Sequence, residues 1–379
     1  MTRARAWLEV MRISNLPTVV SNAIAGAALG AAALAAARAE TAGLRIFAGG
    51  VVTTDGGPSF AAVLAAMLAP PFAYVGGMIL NDAFDAAIDA RERPSRPIPS
   101  GRIARRHAFA AGFALLALAL VLAAPGGIAP LAAATALVVA IVVYDGLHAK
   151  SAASTLLLAL CRALAAIVPM LAAAGGDLRA LLVHGALILP AALAAWTLGL
   201  SLVARGEARM LADQRRDEVD SVERCGRCGH RVRSGTEACP ECGAGIGGAA
   251  KSQATARGRL RPSRLLLDVA PIAGVALVAL ALRYSATLLD APRTLDPLVS
   301  PLVIPLAIVA LVCMWTANAA RRRMRRDARE TPAAIAAWIA CMALIDACAL
   351  LAFGDWLLAI ACVGLFGATR VLQSRIAGS

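Results

Sequence analysis

Charged side chains are scarce in this sequence. Of its 379 residues only 16% are Asp, Glu, Lys or Arg, against about 25% in a soluble globular domain. That shortage excludes an ordinary cytosolic enzyme, and equally a disordered chain, which is polar and charged throughout. Aromatic residues are rarer still at 4%, and four histidines leave few landmarks from which to read a small-molecule cavity. Nine cysteines in a chain this long do not make a small disulfide scaffold. What fills the sequence is Ala and Leu. Apolar residues reach 59% and the mean hydropathy is +0.71, an excess of helical character. A net charge of +13 and an isoelectric point near 10.2 would suggest nucleic acid in a polar protein. Here the basic residues must first be placed relative to lipid.

A membrane helix needs about 20 apolar residues to cross about 30 Å of hydrocarbon. Ten runs qualify: Thr18–Leu34, Phe60–Leu80, Ala108–Ala124, Ile128–Tyr144, Ala152–Ala174, Leu181–Val203, Leu265–Leu282, Leu298–Ala319, Ala333–Phe353 and Trp356–Ala368. The last is short and reads as a half-helix or one end of a broken ninth span. None carries a polar face over its full length, so they read as spans rather than core helices. The first follows Arg3 and Arg5 without a convincing cleavage site, and reads as a retained helix. With the N-terminus inside, 31 of the 37 Lys and Arg fall in inner segments and five in outer ones. The positive-inside rule then puts the N-terminus, the 81–106 loop and the 205–264 segment in the cytoplasm, in a multi-pass protein of the cytoplasmic membrane. The basic charge is topology and contact with anionic lipid, with no nucleic-acid partner. Three parts are expected: membrane helices in 1–204, a cytoplasmic loop in 205–262, and C-terminal membrane helices in 263–379.

The second run leads into Asn81-Asp82-Ala-Phe-Asp85-Ala-Ala-Ile-Asp89. If the helix continues, Asn81, Asp85 and Asp89 repeat at i, i+4 and i+8 with Asp82 on the same side. Like charges at that spacing repel, so stability alone does not select them; a bound Mg²⁺, which prefers carboxylate and amide oxygens, removes the penalty. The bland reading is a solvated helix end. Against it stands the proline-stiffened stretch Arg91–Arg102, whose Arg93 and Arg96 are suited to clamp a diphosphate. Arg162, in mid-span, is costly unless functional or paired with Asp346 or Asp268.

These residues resemble the first signature of the UbiA superfamily of intramembrane prenyltransferases, Asn81-Asp-x-x-Asp85-x-x-x-Asp89 followed by Arg96-Pro-Ile-Pro-Ser-Gly101. The stretch Arg12-Ile-Ser-Asn15-Leu-Pro-Thr18 with Gly26, the Tyr144…Lys150 pair, and Cys161-Arg162 are similar too. The resemblance implies an all-α polytopic bundle of nine to ten spans around a lipid-open cavity. It implies Mg²⁺-dependent transfer of a polyprenyl group from its diphosphate to an aromatic or lipid acceptor. The implied site has Asn81, Asp85 and Asp89 on the metal, Asp82 catalytic, and Arg93, Arg96, Lys150, Arg162 and Arg205 on the substrate. Metal and arginines would stabilise the departing pyrophosphate, and the bilayer interior would keep water from the carbocation.

Members usually carry a second Asp-rich motif after the sixth span, and here the match frays. Asp213-Gln-Arg-Arg-Asp217 has the spacing but lies ten residues past Val203. Arg205 and Glu207 lie at the membrane face with one carboxylate, and Glu207 is the preferred equivalent. Beyond it, Cys225-x-x-Cys228-Gly229 and Cys239-x-x-Cys242-Gly243 form a zinc-ribbon-like pattern. In a reducing compartment four thiolates indicate one structural Zn²⁺ rather than two disulfides; the ribbon's target is not legible. Three rivals remain: an inactive prenyltransferase-like scaffold carrying the ribbon, a CDP-alcohol phosphotransferase, whose glycine after Asp85 is absent, and a transporter, whose internal repeat is absent.

Overall fold

The computed structural model describes residues 3–41, 57–146, 152–220, 222–225, 227–233, 238–244, 303–326 and 330–375. The chain divides into two compact units: residues 1–200 with 269–379, and residues 201–268.

The larger unit is helical. Its elements are α1 (Arg3–Val10), α2 (Leu16–Thr41), α3 (Phe60–Phe84), α4 (Ala86–Glu92), α5 (Arg105–Ala123), α6 (Ile128–Gly146), α7 (Ala152–Ala173), α8 (Leu178–Val183), the start of α9 (Ile188–Asp220), α10 (Val303–Arg326), α11 (Thr331–Ala352) and α12 (Trp356–Arg375). Among the described residues seven helices are long and apolar enough to cross a membrane. The chain is an integral membrane protein.

Two expectations need correction. The run Leu181–Val203 is not one helix: α8 stops at Val183, and Gly185 takes a left-handed φ of 69° before α9 begins at Ile188. Glycine adopts that conformation without a Cβ clash, so the break costs little. The run at Trp356 is no half-helix but 20 residues long. The span expected at Leu265–Leu282 lies outside the described residues.

Small residues set the helix packing. A Cβ on Gly26 or Gly30 would strike the backbone carbonyl of Ala166 or Met170, so α2 and α7 touch backbone to backbone. Close approach through a Gly-x-x-x-Gly stripe is the usual way to gain packing where lipid removes the hydrophobic drive between helices. Gly76 and Gly112 do the same for α3 and α5. Helix α11 is buried along most of its length, whereas only Ala359, Cys362 and Thr369 of α12 are buried. Leu64, Phe113, Val121, Trp315 and Ile360 are exposed, as a lipid-facing surface requires.

The smaller unit contains the end of α9 and a two-stranded antiparallel hairpin, β1 (Val222–Arg224) with β2 (Arg231–Arg233), in register Val222↔Arg233 and Arg224↔Arg231.

Candidate active site

Helix α3 brings Asn81 and Asp82 to its last turn. Asp85 ends that helix (φ −77°, ψ −2°), and α4 starts at the next residue. The uninterrupted helix expected over 81–89 is thus a pair of helices jointed at Asp85. The periodicity survives the joint, because the Asp85 N–H donates to the Asn81 carbonyl (3.0 Å) and the Asp89 N–H to the Asp85 carbonyl (2.9 Å).

Arg96 departs most from its expected place. Instead of standing open to a diphosphate, it turns under the helix joint. Its Nη1 lies 2.7 Å from Asp89 Oδ2 and 3.5 Å from Asp82 Oδ1, and Arg12 Nη2 lies 3.2 Å from the same Asp82 oxygen. Asp82, Asp89 and Arg96 are all buried. The loop that carries Arg96 explains this. Ile98 and Ile103 sink into an apolar cluster with Val10, Ile79 and Ala108, which draws the preceding arginine inward. Once there, a guanidinium between two desolvated carboxylates cancels their repulsion without a metal. Arg93 stays exposed. Among the described residues, no three carboxylates or histidines converge closely enough to surround one ion.

Arg12 carries backbone strain. It is the one non-glycine residue with positive φ among those described (φ 46°, ψ 47°), a conformation that costs about 1–2 kcal/mol. Its ion pair to Asp82 and the hydrogen bond its carbonyl accepts from the Tyr74 hydroxyl (3.3 Å) hold it there.

Asp145 escaped the sequence reading. It lies near the end of α6, 3% exposed, with Asp85, Arg12, Asn81 and Asp82 as its polar neighbours, and its Oδ2 is buried without a hydrogen-bond partner. Its only signal in the sequence is an acidic residue straight after Tyr144, at the end of an apolar run.

Arg162 sits in a second polar seam, on the face where α7 meets α2. Its Nη1 donates to Asn22 Oδ1 (2.9 Å) and its Nη2 to Thr18 Oγ1 (3.4 Å). Asn22 Nδ2 in turn donates to Asp346 Oδ2 (2.6 Å), which Ser21 Oγ also reaches at 2.6 Å. Arg162 therefore meets Asp346 through an intervening carboxamide, not in the direct ion pair considered from the sequence. Asp268 lies outside the described residues, as does Lys150. Arg205 is half-buried in α9. Glu207, Asp213 and Asp217 lie further along the same helix, where only the backbone is described.

The smaller unit holds the metal-ligand geometry that the sequence pattern predicts. The four sulfurs of Cys225, Cys228, Cys239 and Cys242 lie within 4.8 Å of one another, with Cys225–Cys242 and Cys228–Cys239 both 3.6 Å apart. A tetrahedral site with metal–sulfur bonds of about 2.3 Å separates its sulfurs by about 3.8 Å, so the four thiols fit one ion. The two knuckles repeat each other. Cys225 N–H donates to the His230 carbonyl and Gly229 N–H to the Cys225 carbonyl; Cys239, Ala244 and Gly243 do the same. Gly229 (φ 71°) and Gly243 (φ 67°) supply the left-handed turns under the sulfurs. Backbone N–H groups of Arg227 and Cys228 lower the Cys225 thiol to about 6, while hydrogen bonds among the crowded sulfurs push Cys242 up and Cys228 to about 12.

Residues 41–222 match the model of the UbiA prenyltransferase family. Digeranylgeranylglyceryl phosphate synthase of Ignicoccus hospitalis is 38% identical over 143 residues, 38% of each chain. The synthase of the same name from Korarchaeum cryptofilum is 50% identical over 46 residues, 12% of this chain and 16% of its own. The chain thus spans well under half the length of these curated relatives. A solved structure of digeranylgeranylglyceryl phosphate synthase superposes over 94% of this chain and 100% of its own, with a TM-score of 0.51 at 16% identity. The two share a fold.

Proposed function

We propose that the chain is a member of the UbiA prenyltransferase family, whose model its residues 41–222 match, and that it is an intramembrane enzyme that transfers a polyprenyl group from its diphosphate to a lipid acceptor with the help of Mg²⁺. The observation that carries this reading is the cluster at the α3–α4 joint, where acidic and arginine side chains are buried together at one end of an apolar bundle. The product named in the relatives points to a glyceryl phosphate lipid as the acceptor class, in preference to an aromatic one.

In this reading Asn81 and Asp85 hold the metal, and Asp82 and Asp89 hold Arg12 and Arg96 in reserve for the diphosphate. Magnesium, when bound, supplies positive charge to the departing pyrophosphate. The arginines share that charge as they leave their carboxylates, and Arg162 adds a third cation held ready by Asn22 and Thr18. Apolar helices exclude water from the allylic cation. The four thiols of the smaller unit take a structural zinc, and the N-terminus and the 81–106 loop face the cytoplasm.

The test is transfer of radiolabelled geranylgeranyl diphosphate to geranylgeranylglyceryl phosphate by the purified protein, with and without Mg²⁺. Asp85→Ala should abolish transfer while the protein stays folded. Full turnover by that variant, or none by the unmodified protein, would overturn the reading.

A further inference from the structure

The acidic cluster divides into two halves. Asp82 and Asp89 face the guanidinium groups of Arg12 and Arg96. Asp145 approaches the other half from a different helix, hydrogen-bonded to the Asn81 side chain and beside Asp85, with Arg12 and Asp82 also within electrostatic range. It is 97% removed from solvent, since only 3% of it is exposed, and its Oδ2 has no hydrogen-bond partner. A buried carboxylate oxygen without a partner is expensive and rarely left so. Chemistry limits what would satisfy it. The nearby Asp85 carboxylate is also an acceptor, the Arg12 guanidinium pairs with Asp82, and the Asn81 carboxamide, which donates to Asp145 through its nitrogen, still offers its oxygen to a cation. Two carboxylates and one amide oxygen are a hard, oxygen-only set. They suit a small divalent ion that keeps several waters and takes its remaining ligands from substrate phosphate.

We propose that Asp145 is a ligand of the divalent cation, completing from α6 the site that Asn81 and Asp85 begin on α3. The proposal rests on the prenyl-transfer reading for its purpose, but not for its geometry. It also accounts for the thin second Asp-rich motif. With a carboxylate supplied by α6, the stretch at Arg205–Glu207 has no need to provide a pair.

The experiment is Mn²⁺ binding to the full-length protein in detergent, followed by the EPR signal of the free ion, without substrate. Asp145→Asn keeps the shape and removes one anionic oxygen; it should weaken Mn²⁺ at least about tenfold, a loss of about 1.4 kcal/mol. Asp355→Asn, at the cap of α12 and outside the cluster, should leave the affinity unchanged. Affinity equal to the unmodified protein in Asp145→Asn would overturn the proposal. A second measurement needs no variant. Fe²⁺ with ascorbate and peroxide cuts the backbone beside bound metal, and fragments should end both within 81–89 and near 145. Cuts confined to 81–89 would count against Asp145 whatever the variants do. The two readings fail differently: tight Mn²⁺ binding lost in Asp145→Asn, in a protein that transfers no prenyl group, sinks the function and keeps the site. Normal transfer with metal affinity indifferent to Asp145 does the reverse.

Discussion

Arg96 shows how much one side chain can change the meaning of a motif. Four acidic or amide residues at helical spacing read as a metal site held empty against its own repulsion. With Arg96 2.7 Å from Asp89 and 3.5 Å from Asp82, half of that repulsion is already cancelled. Arg96→Leu should therefore cost stability as well as activity. Removing one partner of a buried pair typically costs about 3–5 kcal/mol, and the thermal midpoint of the purified protein should drop accordingly. Asp85→Ala should leave that midpoint nearly unchanged, because relieving like-charge crowding offsets what is lost. At Asn22 the argument concerns direction. Its carboxamide donates to Asp346 and accepts from Arg162, so only one of its two flipped orientations satisfies both. Asp346→Leu removes the acceptor that selects that orientation and should raise KM for the prenyl diphosphate several-fold. Asp346→Asn keeps a carbonyl in place and should restore most of it. Equal kinetics in the two variants would remove the coupling from the account.

At the scale of elements, glycine decides which helices are neighbours. Gly26→Ala or Gly30→Ala would drive a methyl into the α7 backbone, and forcing extra atoms into such contacts costs about 1–3 kcal/mol. Gly364→Ala in α12 is the control, for a Cβ there meets nothing within 4 Å. Gly26 and Gly30 variants should lower the thermal midpoint and Gly364→Ala should not. The same elements explain what could be read beforehand. The α3 end with Asn81, Asp82 and Asp85, and the four cysteines, were legible because their chemistry depends on short, fixed spacings. The partners of Arg162 were not, because Asn22 and Asp346 reach it from helices 140 and 184 residues away along the chain. The break before α9 is hidden inside a long apolar run, where His184, Gly185 and Pro190 are the only interruptions near it. Asp145 had no spacing at all to announce it; only folding α6 against α3 gives it neighbours.

The whole molecule is two units, and the predictions at this scale separate them. Cys239→Ser should abolish stoichiometric zinc in elemental analysis and raise amide exchange across 222–244, since ligand binding and local folding are one event in such sites. Exchange in α2, α3 and α7 should not move. Disulfides in freshly isolated protein would contradict the metal. Orientation follows from charge: a cysteine introduced at Ser95 should resist an impermeant reagent on intact cells and react after permeabilisation. Labelling without permeabilisation would invert the topology.

The span of each polar contact along the chain also sets an order of manufacture. Asp89 and Arg96 are seven residues apart, so the buried acids acquire their counter-charge almost as soon as they leave the ribosome, and the first helices can enter the bilayer electrically quiet. Ser21 waits 325 residues for Asp346. Until α11 arrives, the α2 end of the seam is an unfinished surface of hydroxyl and amide groups in a nascent membrane protein. A chain that stalls before residue 330 should be recognised and degraded as incomplete, whereas the ion pair at the α3–α4 joint is already built.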